Sequence, residues 1–139
     1  SSNTALTYLD ALYRVDVGKH VTAIHHAFKL IPNLQQVNFL NDDISIGVQS
    51  ISGLGRMYHF KAPKRVLYVH SNAFNDSDGI GIFDFSEIES VPTLLYLDAF
   101  GNINTYSIIV PDSLYDEFIS ATNWSNIASH IVRLSDFIK

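Results

Sequence analysis

Hydrophobic positions along this chain recur at two spacings, one typical of helices and one typical of strands. The helical spacing of three to four residues runs through residues 5–16 and again through residues 19–31, where Pro32-Asn33 ends it. The apolar positions that carry it are Leu6, Leu9, Leu12 and Tyr13, then Val21, Ile24, Phe28 and Ile31. We therefore predict two amphipathic N-terminal helices, with a strand over residues 13–17 as the alternative for part of the first.

Strand patterns begin at residue 34. Residues 34–40 alternate loosely between polar and apolar, and residues 65–70 form a continuous apolar run of the kind found in buried strands. Between them, Asn41-Asp42-Asp43 breaks the first strand and is a suitable cap for a helix over residues 44–54. Glycines within that segment weaken it as a helix. A strand, a helix and a second strand are thus predicted in succession.

Residues 90–106 predict an antiparallel hairpin. Pro92 stands at the start of an apolar strand over residues 93–98, where its missing N–H need not serve a ladder. Residues 98–102 supply the turn, and a second strand follows over residues 103–109.

Two further helices complete the predicted order of elements. One covers residues 79–85, and the other begins at Asn123-Trp124-Ser125 and runs to Ile138 along one apolar stripe. Strands that alternate with helices indicate parallel βαβ units, to which the hairpin adds an antiparallel edge. We predict an α/β sandwich with a mixed sheet of four to five strands, in which residues 34–139 form the core and residues 1–33 a helical extension. No internal repeat is visible.

Composition and charge narrow the class of protein. At 139 residues with 47% hydrophobic and 17% charged positions, we expect one globular domain. Nothing approaches the roughly 18 consecutive apolar residues of a membrane span. A net charge of -5 argues against general nucleic-acid binding. The chain begins with Ser1-Ser2 rather than Met, so we expect a processed protein or an excised domain.

Charged residues form two clusters of opposite sign. The basic cluster comprises Arg56, Lys61, Lys64 and Arg65, and the acidic one comprises Asp76, Asp78, Asp84, Glu87 and Glu89. Three interpretations stay open: solvated loops, a docking patch for an acidic partner, or two clusters that face each other.

The absence of cysteine excludes thiolate chemistry, disulfides and thiolate metal sites. We predict no cofactor and no metal site. Two glycosylation sequons, at Asn75 and Asn123, favour the secretory pathway or periplasm over the cytoplasm weakly.

The segment from Val91-Pro92 through Asp98 to Gly101-Asn102-Ile103 resembles the cis-proline loop and closing strands of the thioredoxin superfamily. The layout from Phe60 to Pro92 is similar to the redox-inactive, b-type domains of protein disulfide isomerases. The resemblance implies a thioredoxin-like three-layer sandwich with extra N-terminal helices. The chain departs from the family where active members carry Cys-x-x-Cys, because Asn41-Asp42-Asp43-Ile44 stands there instead.

The resemblance implies a redox-inactive domain that binds a protein or peptide as part of a larger protein or assembly. In it, Val91 beside a cis Pro92 offers its backbone to a bound segment, and Asn41, Asp42 and Asp43 form the opposite lip. The charged clusters, through Arg56 and Lys61, add to the binding surface. The alternative for Pro92 is that it only shapes a turn.

A second hypothesis is a small α+β enzyme or ligand-binding protein with an NTF2-like cavity. Its chemistry would use His25, His26, His70 or Asp42. The two hypotheses differ in their sheets: the first needs strand 65–70 parallel to strand 34–40, and the second needs a largely antiparallel sheet.

Overall fold

The computed structural model describes most of the chain from residue 13 onward. The described residues are 13–24, 28, 33–40, 43–47, 51, 57–75, 77, 79–100 and 105–138.

The described residues form ten short strands, which fall into two series according to the strands that they pair with. The first series is β1 (Arg14–Val17), β3 (Gln36–Phe39), β5 (His59–Lys61), β7 (Ile82–Asp84), β9 (Ser107–Val110) and β10 (Ile131–Arg133). The second series is β2 (Ala23–Ile24), β4 (Asp43–Ile46), β6 (Arg65–Val69) and β8 (Thr93–Leu94). Strands of the first series begin at residues 14, 36, 59, 82, 107 and 131, a spacing of 22 to 25 residues. The chain therefore repeats a strand-bearing unit.

Every described pairing is parallel and joins strands of the same series. The second series forms a sheet in the order β2-β4-β6-β8, and the first series forms β1-β3 and β10-β9-β7-β5. Parallel partners need a long crossover between them, and here the passage through the other sheet supplies it. We call each repeating unit of 22 to 25 residues a coil. Each coil adds a strand to one or both series, which is the arrangement of a parallel solenoid.

Short helical segments complete the coils. They are α1 (Tyr115–Ser120), α2 (Leu134–Phe137) and 3-10 turns at Leu97–Phe100, Asp112–Leu114 and Trp124–His130. The chain is thus of the α/β class, with parallel strands and few helices. No helix in the described part of the chain is both long enough and apolar enough to cross a membrane.

One hydrophobic cluster contains residues from the strands of both series. Its centre is aromatic: Phe74 stacks on Phe100 at 5.3 Å, Phe100 on Tyr106 at 5.3 Å, and Tyr106 on His130 at 3.9 Å between ring centroids. The His130 Nδ1 atom also lies 3.0 Å from the Tyr106 carbonyl oxygen. The four rings come from three successive coils, so their stack ties these coils together through side chains as well as through the ladders.

Burial raises the pKa of Tyr106 to about 12 from its ordinary 10.0. The unfolded chain ionises this phenol near pH 10 while the folded chain keeps it neutral, so we expect stability to be lost as pH rises from about 10 to 12. The loss attributable to Tyr106 is about 2–3 kcal/mol. Urea unfolding of the wild type and of Tyr106→Phe at pH 9 and pH 12 measures it. A free-energy difference between the two proteins that does not change with pH would contradict the expectation.

The C-terminal coil closes the exposed edge of the second sheet. Trp124 is fully buried, and its Nε1–H donates to the Pro92 carbonyl at 2.7 Å. The Asn123 side-chain amide donates to the Leu94 carbonyl at 2.7 Å. These two carbonyls lie two residues apart at β8, where a further parallel strand would otherwise pair. Two side chains therefore end the sheet, and the amide of the sequon at Asn123 is used inside the fold.

The strand predictions over residues 34–40 and 65–70 are confirmed as β3 and β6. Strands also occur within the predicted hairpin, as β8 and β9, but its pairing is wrong. Both strands lie in parallel ladders of different sheets, β8 against β6 and β9 against β7 and β10. A Pro–turn pattern is compatible with several local turns, and the partner of a strand is decided by the distant segments that its apolar face can reach.

Several predicted helices are also wrong. Residues 19–31 contain β2, residues 79–85 contain β7, and residues 123–138 contain 3-10 turns and β10 before the short α2. Residues 44–54 start inside β4, and most of the rest lies outside the described residues. The cause is common to all of them: short apolar runs with a spacing of three or four satisfy a strand that buries alternate positions as well as a helix.

The predicted helical extension of residues 1–33 is corrected for its described part. Residues 14–17 form β1, the alternative kept for that segment, and β1 and β2 pair with β3 and β4. Residues 1–12 lie outside the described residues. No internal repeat is visible in the sequence because the repeat of the structure is carried by strand spacing and not by recurring residue types.

Candidate functional site

Pro92, the residue expected to border a peptide groove, is buried in the fold. The Val91–Pro92 peptide bond is trans, and Val91 packs partly buried against the core. The Pro92 carbonyl oxygen is occupied by Trp124 Nε1–H. Pro92 therefore serves the edge closure described above, and its backbone is not presented to a ligand.

The opposite lip and the basic cluster are only partly within the described residues. Asn41, Asp42 and Arg56 lie outside them. Asp43 accepts two hydrogen bonds from Arg65, at 2.5 Å from Nε and 3.2 Å from the second terminal nitrogen. These bonds hold the pKa of Asp43 below its ordinary value. Asp43 thus belongs to an ion pair of the second sheet, well away in the chain from Pro92.

Two members of the basic cluster pair with members of the acidic cluster, in keeping with one of the three interpretations. Lys61 pairs with Glu87, and Arg65 donates to Glu89 Oε1 at 2.9 Å as well as to Asp43. The hydrogen bond to Glu87 raises the pKa of Lys61. The charges of Lys61 and Arg65 are therefore compensated within the described part of the chain.

The histidines are dispersed. His25 and His26 lie outside the described residues. His59 Nε2 lies 3.1 Å from Asp84 Oδ2, and the His70 ring lies 6.0 Å from that of Tyr68. The Ser71 hydroxyl, next to His70 in the chain, donates directly to Asp98 Oδ2 at 3.1 Å and not to a histidine, as a Ser–His–Asp triad would require. Within the described ranges, no group of three or more histidine or carboxylate side chains is placed to hold a metal ion.

A β-bulge in β6 creates an exposed apolar surface that the sequence pattern did not predict. Ile44 pairs with Val66 and Ile46 with Val69, so one residue of β4 stands opposite both Leu67 and Tyr68. A regular strand would direct one of these two side chains inward, whereas the bulge leaves both exposed, Leu67 by 49% and Tyr68 by 43%. The continuous apolar run over residues 65–70 had indicated a strand buried on both faces.

Tyr96 and Leu97, just beyond β8, extend this surface and are exposed by 56% and 53%. They follow the strand that pairs with β6, since Tyr68 pairs with Thr93 and the Leu95 N–H donates to the Val69 carbonyl at 3.0 Å. We name Leu67, Tyr68, Tyr96 and Leu97 the tyrosine–leucine strip. Its charged surroundings are the Asp43–Arg65–Glu89 group on one side and Asp98, held by Ser71, on the other.

A concave feature lies between β3 and β5 of the first series. Cα atoms of these strands come within 8 Å, yet no ladder joins them in the described backbone. Two adjoining hollows of about 220 and 430 Å³ open there and share Val37, Asn38 and Lys61. We name this feature the β3–β5 groove.

The sequence matches no protein-family model and no curated protein.

Proposed function

We propose that this chain is a non-catalytic protein-binding domain and that the tyrosine–leucine strip is its binding surface. The observation that carries the proposal is the bulge that leaves both Leu67 and Tyr68 exposed on β6, the strand that pairs with β8, after which the exposed Tyr96 and Leu97 follow. Tyrosine is enriched in interfaces because it combines a large apolar ring with a hydroxyl that binds water or a partner equally well. Contiguous exposed apolar side chains of this kind mark interaction sites.

The charges around the strip define the partner. Three carboxylates, of Asp43, Glu89 and Asp98, stand against the single guanidinium of Arg65, and the whole chain carries a net charge of -5. A partner segment with two apolar anchors and flanking lysine or arginine side chains is complementary to this arrangement. Acidic partners, which the basic cluster had favoured as one alternative, are disfavoured by it.

This proposal keeps the predicted peptide-binding function and moves its location. The groove beside a cis proline, which the thioredoxin resemblance implied, gives the proposal no support, because Pro92 follows a trans bond and is buried. β6 lies beside β4 and β8, not beside β3 as a thioredoxin-like sheet requires. The NTF2-like alternative gains no support either, since all described pairings are parallel.

Selection from a random peptide library displayed against the wild-type chain tests the proposal. We expect the enriched peptides to contain two apolar or aromatic residues flanked by basic ones. The double variant Tyr68→Ser/Tyr96→Ser should bind them at least about tenfold more weakly, because it removes two aromatic contacts.

Tyr58→Ser is the matched control, since Tyr58 is a tyrosine of similar exposure that precedes β5 in the other sheet. Asp98→Asn tests the contribution of charge and should weaken peptide binding by a few-fold. The difference in affinity between this variant and the wild type should become smaller at high salt. Enriched peptides that bind wild type and double variant equally, or a selection that yields no specific peptide, would overturn the proposal.

A further inference from the structure

One wall of the β3–β5 groove carries Gln36 and Asn38, which belong to a hydrogen-bonded row of polar side chains on β1 and β3. Arg14 Nε donates to Asp16 Oδ1 at 3.3 Å, Asn38 Nδ2 donates to the same oxygen at 2.9 Å, and Gln36 Nε2 donates to Asn38 Oδ1 at 3.2 Å. The Asn38 bond, and the Arg14 guanidinium with it, hold the pKa of Asp16 below its ordinary value. Each member fixes its neighbour, so donors and acceptors are held in place across the two strands before any ligand arrives.

The other wall comes from β5, β7 and the turn after β7. His59 Nε2 lies 3.1 Å from Asp84 Oδ2, and Lys61 pairs with Glu87. Burial, the largest influence on Asp84, acts to raise its pKa, but the bonds from Ser86 and His59 together outweigh it and the pKa is lowered. This wall also presents paired groups.

Few of the side chains that line the groove carry charge. They are Lys61, Lys64 and Glu87, and Lys61 pairs with Glu87. Uncharged amides, those of Gln35, Gln36 and Asn38, line the larger hollow beside them. An uncharged ligand rich in hydroxyl groups suits these amides, because a hydroxyl both donates and accepts and can join the existing row.

The groove also offers an aromatic face and sufficient space. Tyr13 lines the larger hollow together with Gln35 and Gln36, and its side chain is 63% exposed. The hollow, at about 430 Å³, lies in the size range of small-molecule sites, which is roughly 300–1,000 Å³. A sugar ring has an apolar C–H face that packs on an aromatic ring and a rim of hydroxyls that faces amides and carboxylates.

We infer that the β3–β5 groove is a binding site for a neutral saccharide, with Tyr13 against the sugar face and Gln36 and Asn38 bonding its hydroxyls. The site is on the first sheet and does not depend on the tyrosine–leucine strip of the second. Protein binding by the strip and saccharide binding by the groove are therefore tested by separate experiments, and failure of one does not contradict the other.

An immobilised array of neutral oligosaccharides, printed beside sialylated and sulfated ones, tests the inference. We expect the wild-type chain to bind at least one neutral glycan, with little change in affinity between 50 and 500 mM salt. Tyr13→Ala should weaken that binding about tenfold, the effect of losing an aromatic contact. Gln36→Ala should weaken it as well.

Tyr58→Ala is the matched control, because Tyr58 is 66% exposed and precedes β5 as Tyr13 precedes β1, yet does not line either hollow. It should bind the glycan as the wild type does. Three results would each overturn the inference: binding to charged glycans alone, equal losses in Tyr13→Ala and Tyr58→Ala, or no glycan bound above background. Both substitutions are at exposed positions, so loss of the fold is not expected to obscure the outcome.

Discussion

Replacement of Trp124 by alanine is expected to lower the free energy of unfolding by about 3–5 kcal/mol, the range for removing a buried aromatic side chain. Trp124 is fully buried and packs edge-on against Phe85 and Phe118 at centroid distances of 6.2 and 5.2 Å. It also donates to the Pro92 carbonyl. The variant loses the packing, leaves a cavity and exposes the edge of the second sheet at once.

Trp124→Phe separates these contributions. A phenyl ring keeps most of the apolar contact but cannot donate, so the Pro92 carbonyl loses its partner at a cost of about 1–3 kcal/mol. Urea unfolding of the two variants and the wild type, followed by circular dichroism, measures both values. Concentration-dependent association of Trp124→Phe, measured by sedimentation, would follow if the released edge pairs with a second chain.

Equal stability of Trp124→Phe and the wild type would contradict the edge-closure argument, because it would show that the indole N–H contributes nothing. Asn123→Ala is the companion variant, since it removes the donor to Leu94 in the same closure. Asn123 also has a positive φ of 69°, which asparagine tolerates better than alanine. We therefore expect Asn123→Ala to lower the free energy of unfolding by more than the loss of one hydrogen bond alone would.

Replacement of Phe83 by alanine is the second change with a large expected effect, again about 3–5 kcal/mol. Phe83 lies on β7 and is fully buried. Its ring contacts four aromatic rings, those of Phe60 and Phe74 in the preceding coil and those of Phe100 and Tyr106 between β8 and β9, at centroid distances of 4.8 to 6.5 Å. One truncation therefore weakens the packing within this coil and against the preceding one.

The solenoid arrangement gives this second prediction a further consequence. In a repeat structure, stability is approximately a sum of coil stabilities and the interfaces between neighbours. Loss of Phe83 weakens interfaces in the middle of the array, so we expect unfolding of Phe83→Ala to become less cooperative, with a smaller dependence of the free energy on urea concentration. Phe83→Leu, which retains most of the volume, should recover much of the stability.

Tyr58→Ala is the control for Phe83→Ala. It removes an aromatic ring of similar size from an exposed position and should change stability by no more than about 0.5 kcal/mol. A loss in Phe83→Ala no larger than that of Tyr58→Ala would show that the aromatic centre does not hold the coils together.

The two proposed surfaces depend on features that only a folded chain has. The tyrosine–leucine strip needs the bulge opposite β4, which turns two successive residues of β6 outward. The β3–β5 groove needs two strands that are near each other without a shared ladder. Tyr13, Asn38 and His59 are unremarkable in sequence, and their meeting in one groove follows from coils of about equal length. The recurrence of strands every 22 to 25 residues becomes visible only in the folded chain.

The sequence by itself determined that residues 34–40 and 65–70 form strands, that the chain is of the α/β class, that thiol chemistry is excluded and that the opposite charges of residues 61–65 and 87–89 are able to neutralise each other. These properties depend on residue type and on local alternation. The tertiary structure alone decided which strands pair and in which direction, and that Pro92 is buried beneath Trp124. A short apolar run has the same pattern in a hairpin, in a helix or in a parallel ladder, and only the burial offered by distant segments selects among them.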